Sequence, residues 1–102
     1  MQDSRAMLRL RKSLTRGNLW LYVLSKLSRC KLYAYGLRKE MEKEFGWSHG
    51  LITSYLVLYK LENEGLISSA FEGRRKYYRI TKKGAVEIKK AKAYLRQLSL
   101  RL

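Results

Sequence analysis

Residues 48–84 read SHGLITSYLVLYKLENEGLISSAFEGRRKYYRITKKG, and a change of period inside that stretch decides the fold. From about His49 to Asn63 the apolar side chains recur at helical spacing. Leu51, Tyr55, Leu58 and Leu61 form one stripe, with Ile52, Leu56 and Tyr59 beside it. Ser48 is a good N-cap residue for this helix, and Gly65 stands where a C-terminal cap is expected. Beyond Gly65 the period shortens to alternation. Ile67-Ser68-Ser69-Ala70-Phe71 and Lys76-Tyr77-Tyr78-Arg79-Ile80 read as two strands joined across Glu72-Gly73-Arg74-Arg75, a hairpin with glycine and charge at its tip. Thr81 then caps a last helix that runs from Lys82 to about the C-terminus. Along it Ile88, Ala91, Leu95, Leu98 and Leu102 step by three and four in a heptad-like seam.

Upstream the pattern is helical. Tyr33, Leu37, Met41 and Phe45 recur every four residues with charged residues between them, and Gly46 stops the run. Leu19-Trp20-Leu21-Tyr22-Val23-Leu24, with Leu27 one turn on, is apolar nearly all round and reads as a buried helix capped by Asn18. Ser28 to Lys31 breaks it. Met7, Leu10 and Leu14 put a narrow apolar stripe on a basic N-terminal helix. The expected fold is therefore mainly α with a β-hairpin. Three helices followed by a basic-tipped hairpin is the order of a winged helix-turn-helix, here with an N-terminal extension (residues 1–16) before the DNA-binding domain (17–81) and a C-terminal dimerisation helix (82–102).

The 102 residues allow one compact domain, and a hydrophobic share of 46% is too high for a disordered tail. With 23 Lys and Arg against 8 Asp and Glu, the net charge is +15, which calls for a polyanionic partner. That charge is uneven: residues 1–30 carry +6, residues 31–66 are neutral, and residues 67–102 carry +9. No apolar run approaches the roughly 20 residues needed to span a bilayer, and the charged start lacks the apolar stretch of a signal peptide. Cys30 is the only cysteine, so there is no disulfide framework, and a cytoplasmic location is expected. One His and one Cys exclude zinc fingers, ribbons and knuckles. No nucleophile–base pair or phosphate-loop glycine pattern is present, so neither enzyme activity nor a cofactor is expected.

The functional candidates follow from the groove geometry of duplex DNA. Helix 49–63 opens with the small polar residues Ser48, His49, Thr53 and Ser54, suited to base edges in the major groove, and Gly50 removes bulk there. Arg74, Arg75 and Lys76 give the wing long cations for phosphates or a narrow minor groove. The seam Ile88, Ala91, Leu95, Leu98 and Leu102 needs a partner, and Met7, Leu10 and Leu14 extend the same face; the alternative is that this last helix folds back on its own domain. His49 is read as surface or DNA-facing rather than as a metal ligand. Trp20 and Trp47 are read as core, and Glu40, Glu42 and Glu44 as salt-bridged surface. Cys30, flanked by Arg29 and Lys31, is read as incidental rather than as a redox sensor.

The same residues resemble the PadR family of transcriptional regulators, in its short form with a single C-terminal helix. Tyr55-Leu56-Val57-Leu58-Tyr59-Lys60-Leu61-Glu62-Asn63-Glu64-Gly65-Leu66-Ile67 is similar to that family's Tyr, then Leu, then Leu-Glu-x-x-Gly-Leu-Ile. Gly73-Arg74-Arg75-Lys76-Tyr77-Tyr78-Arg79-Ile80-Thr81-Lys82-Lys83-Gly84 is similar to its Gly-Arg-x-Lys-Tyr-Tyr-x-Ile/Leu-Thr-x-x-Gly. The resemblance covers residues 17 to about 100. It departs from the family at Ala34-Tyr35, where Gly-Tyr is usual, and at Leu56, where proline commonly follows the tyrosine. It implies a homodimer held by the C-terminal helix with help from the N-terminal one, bound to a pseudo-palindromic operator, usually as a repressor. It also implies that Tyr55 faces the DNA backbone and that Arg74 and Lys76 are wing contacts. Some relatives bind flat aromatic molecules where subunits meet, but no residue here fixes such an effector site.

The expected function is that of a dimeric, sequence-specific, double-stranded DNA-binding regulator. A structured-RNA binder and an architectural DNA-binding protein without sequence preference are the alternatives.

Overall fold

The structure, a computed structural model, describes residues 2–102. Its elements run α1 (Arg5–Thr15), a 3₁₀ turn (Arg16–Asn18), α2 (Leu19–Leu27), β1 (Leu32–Tyr33), α3 (Ala34–Phe45), α4 (Leu51–Asn63), β2 (Ile67–Glu72), β3 (Arg75–Ile80) and α5 (Lys82–Arg101). The order agrees with the one expected from periodicity, with one strand added. Leu32 and Tyr33 pair antiparallel with Tyr78 and Tyr77, so the sheet has three strands in the order β1-β3-β2. Two residues are too few to show alternation, which is why the break after α2 hid a strand.

α2, α3 and α4 pack around one core. Val23, Leu24 and Leu27 come from α2, Ala34, Leu37 and Met41 from α3, and Leu58 and Leu61 from α4. Leu66, Ile67 and Tyr78 from the sheet region and Ile88 from α5 close it. Trp20 and Trp47 border this core rather than filling it. Tyr22 meets Phe45 and Trp47 edge-on, each at 4.9 Å between ring centroids, and so ties α2 to the end of α3. Of the acidic trio on α3, only Glu44 forms ion pairs among the described residues, with Lys26 and Arg29.

Several ends are set by local chemistry. Ser4 caps α1 by accepting from the Met7 amide at 3.1 Å. Asn18 does not cap α2 with its side chain. Instead its amide donates to the Ser13 carbonyl at 2.7 Å and its oxygen accepts from the Trp20 indole at 3.2 Å, stitching the 3₁₀ turn. The Thr81 hydroxyl accepts from the Gly84 amide and donates to the Gly65 carbonyl, so one side chain starts α5 and fastens it to the end of α4. Gly84 is buried there, and any side chain at that position would strike the Leu66 carbonyl and Ile80.

α4 departs from expectation at its start. It begins at Leu51 with Gly50 as N-cap, two residues later than the spacing suggested, and the Ser48 side chain does not cap it. Residues 46–50 form a connecting segment, held by the Arg38 guanidinium, whose Nε donates to the His49 carbonyl at 2.9 Å. α5 also divides. Ile88 is packed in the domain's own core, whereas Leu95 is 37% exposed, Leu98 42% and Leu102 96%. The helix therefore folds back on its own domain as far as Ile88, and leaves the rest of its seam uncovered in the single chain.

Candidate nucleic-acid interface

The wing is a tight hairpin. Ile67 to Glu72 pair with Ile80 to Arg75 in unbroken register, leaving only Gly73 and Arg74 in the turn. Gly73 sits at φ 65°, the positive angle a two-residue turn of this kind needs at its first central position. Arg74, Arg75 and Lys76 are all exposed, as the sequence led one to expect. They are not equivalent. The Arg75 guanidinium lies 4.5 Å from the centre of the Tyr33 ring, and Lys76 Nζ lies 5.6 Å from that of Tyr78. Arg74 makes no such contact and stands at the tip.

Below the tip, Glu72 accepts from Lys31 Nζ with both carboxylate oxygens at 2.6 Å and from Arg79 at 3.1 Å. The hydrogen bond from Lys31 is the main cause that holds its carboxyl below the ordinary range; desolvation, next in size, opposes it, and the hydrogen bond from Arg79 adds to the lowering. Lys31 also covers the Tyr77 ring at 5.1 Å, and Tyr77 meets Tyr33 edge-on at 5.5 Å. β1 and the Lys31 before it thus brace the wing, Lys31 through charge and Tyr33 through aromatic contact.

The start of α4 corrects two residues of the sequence-derived set. Ser54 is fully buried, and its hydroxyl donates to the Gly50 carbonyl at 3.1 Å, so it does not face a ligand. His49 lies in the segment before α4, with both ring nitrogens shielded from solvent and unpartnered. Burial first and the Arg38 charge second push its pKa below 6.5. The residue as a whole is half-buried. Ser48 is half-buried, while Thr53 and Tyr55 are exposed. The buried stripe of α4 is Ser54, Leu58 and Leu61, not the row containing Leu51 and Tyr55.

Between the wing, α4 and the start of α3 lies a cleft of about 350 Å³, lined by Tyr33, Tyr35, Tyr55, Phe71, Arg74 and Lys76 among others. It brings Tyr55 together with the wing cations. Tyr35 and Phe71 are exposed aromatics that sequence reasoning missed. Strand alternation assigns Phe71 the face of Ile67, but only the structure shows that the core ends before reaching it.

Leu14, Leu21, Ala91, Tyr94 and Leu95 line a separate groove of about 400 Å³ between the N-terminal elements and α5. Among the described residues, no cluster of three or more His, Cys, Asp or Glu is placed to hold a metal, and no helix is long and apolar enough to cross a membrane.

The model of the transcriptional regulator PadR-like family matches residues 23–90. A PadR family transcriptional regulator from Eggerthella lenta is 31% identical, with a TM-score of 0.79 over 92% of this chain and 86% of that one. A transcriptional regulator from Clostridium thermocellum is 28% identical, with a TM-score of 0.77 over 87% and 92%. Bacillus subtilis PadR, solved in complex with operator DNA, is 28% identical with a TM-score of 0.63, over 71% of this chain and 46% of its own. No curated protein sequence matches. The matched family is one of transcription regulators, not of enzymes. From α2 through the wing to the middle of α5, in sequence and in fold alike, this chain belongs to the PadR-like family of transcriptional regulators.

Proposed function

We propose that the protein binds double-stranded DNA as a homodimer at a pseudo-palindromic operator and represses transcription there. α4 lies in the major groove, with Thr53 and Tyr55 toward the DNA and Ser48 at its edge. Arg74 and Lys76 grip the adjacent phosphates, and Arg75 shares that role while stacked on Tyr33. The observation that carries this is the rigid cationic wing tip standing beside the exposed face of α4 across one cleft. The Bacillus subtilis relative, solved with operator DNA, supports it.

Residues 1–16 and 82–102 serve assembly around a central DNA-binding unit, residues 17–81. Ala91, Leu95, Leu98 and Leu102 form the subunit contact with Leu10 and Leu14 of α1 alongside, because these apolar side chains are partly or fully uncovered in a single chain. Ile88 is left out of that contact, being enclosed in its own domain.

Selection of bound duplexes from a random pool tests the proposal. An enriched inverted repeat, its half-sites about one helical turn apart, is the expected result. Binding without enrichment would favour the architectural alternative.

A further inference from the structure

We infer that α4 selects thymine through its 5-methyl group, with Ile52, Leu56 and Tyr55 as the side chains that do so; the inference rests on the DNA-binding role proposed above. The face that α4 turns outward is apolar. Ile52 is 79% exposed, Tyr59 65%, Leu56 55% and Tyr55 52%. At helical spacing Ile52, Leu56 and Tyr59 lie along one side, opposite the buried Ser54, Leu58 and Leu61. Side chains of this kind on a solvent-facing helix gain from covering apolar atoms.

Of the polar side chains expected to read base edges by hydrogen bonding, Ser54 and His49 are withdrawn and Ser48 is half-buried. The Ser54 hydroxyl is occupied by the Gly50 carbonyl, and the His49 nitrogens are enclosed. Thr53 remains, and it carries a methyl group beside its hydroxyl.

The flanks decide what occupies this face. Arg74 and Lys76 stand across the cleft from Tyr55. Arg16 and Lys60 lie beside Thr53 and Leu56 on the other side, with Glu64 and Glu87 in the same groove, so the wing side is the more positive flank. An apolar stripe beside a cationic wing, with Arg16 and Lys60 offset by Glu64 and Glu87 on its other flank, fits a polyanion whose surface offers apolar points between rows of phosphates. In the major groove of duplex DNA the thymine methyl is that point, and it is absent from the other three bases.

Deoxyuridine provides the test, because it pairs as thymidine does and lacks only the methyl group. On the duplex recovered by selection, replacing a contacted thymine should weaken binding roughly fourfold, the value of one buried methyl-sized group. An Ile52→Ala variant, altered at an exposed position, should bind the thymine duplex less tightly and lose most of the distinction at one position of each half-site. Equal affinity for thymine and uracil duplexes, with tight duplex binding retained, would overturn the inference and leave the proposed function standing. Failure to bind any duplex at low salt would remove both. If Ile52→Asp converted a dimer to monomers in sedimentation, the face would belong to a second copy, and the inference would fall.

Discussion

His49 is the sequence's one histidine, and its position makes the protein's stability depend on pH in a defined direction. With its pKa lowered by burial and by Arg38, the folded chain holds the ring neutral more firmly than the unfolded chain does. The unfolded state therefore binds the extra proton first. Stability is at its full value above the ordinary value of 6.5 and declines as pH falls from there toward the lowered folded value. Thermal midpoints measured from about pH 8 to about pH 5 should fall toward the acid end, and those of His49→Phe should stay flatter. Parallel curves for the two proteins would show that the ring is solvated. His49 and Ser54 also mark where sequence reading stopped at this scale. α4 has apolar residues around most of its circumference, so composition did not say which side would meet the core. Packing against α2 and α3 chose Ser54, Leu58 and Leu61, and turned Tyr55 outward.

Among the elements, those with strong local chemistry were legible. Gly46 and Gly65, both at positive φ, end α3 and α4 where expected, and Thr81 caps α5. The hairpin was legible from alternation and from Gly73. β1 and the start of α4 were not, because each is set by a tertiary partner: β3 for the first, Arg38 for the second. β1 changes the reading of the wing cations. Arg74→Ala should lower the slope of log affinity against log salt by about 0.9, the loss of one phosphate contact, on every sequence tested. Adding Arg75→Ala should lower it further and also loosen the hairpin, since Arg75 rests on Tyr33. An unchanged slope in the double variant would remove the wing from the interface.

Across the whole molecule, the charge of +15 is divided by role. The helix proposed to read bases lies in the neutral middle of the chain, and the cations lie in α1, the wing and α5. Charge of this kind speeds the encounter with a polyanion and sets its salt dependence, while the uncharged face of α4 is the part proposed to discriminate. The last helix is the proposed subunit contact. Leu95→Asp should give monomers in sedimentation with the domain still folded, because Leu95 contributes little to the domain's own core. A dimer that survived the change would refute the α5 contact. The seam was visible in the sequence, but its division at Ile88 was not, since heptad spacing does not show where a helix leaves its own core.

The two-residue turn of the wing has a consequence for affinity. A long basic loop would have to surrender its conformational entropy on binding, at about 1–2 kcal/mol for each backbone residue fixed. Here Glu72 and Arg75 are already paired across Gly73 and Arg74, so that ordering is complete before any ligand arrives. In the proposed complex the wing would meet DNA preorganised, and nearly all the freedom left to restrict would be that of the Arg74 and Lys76 side chains.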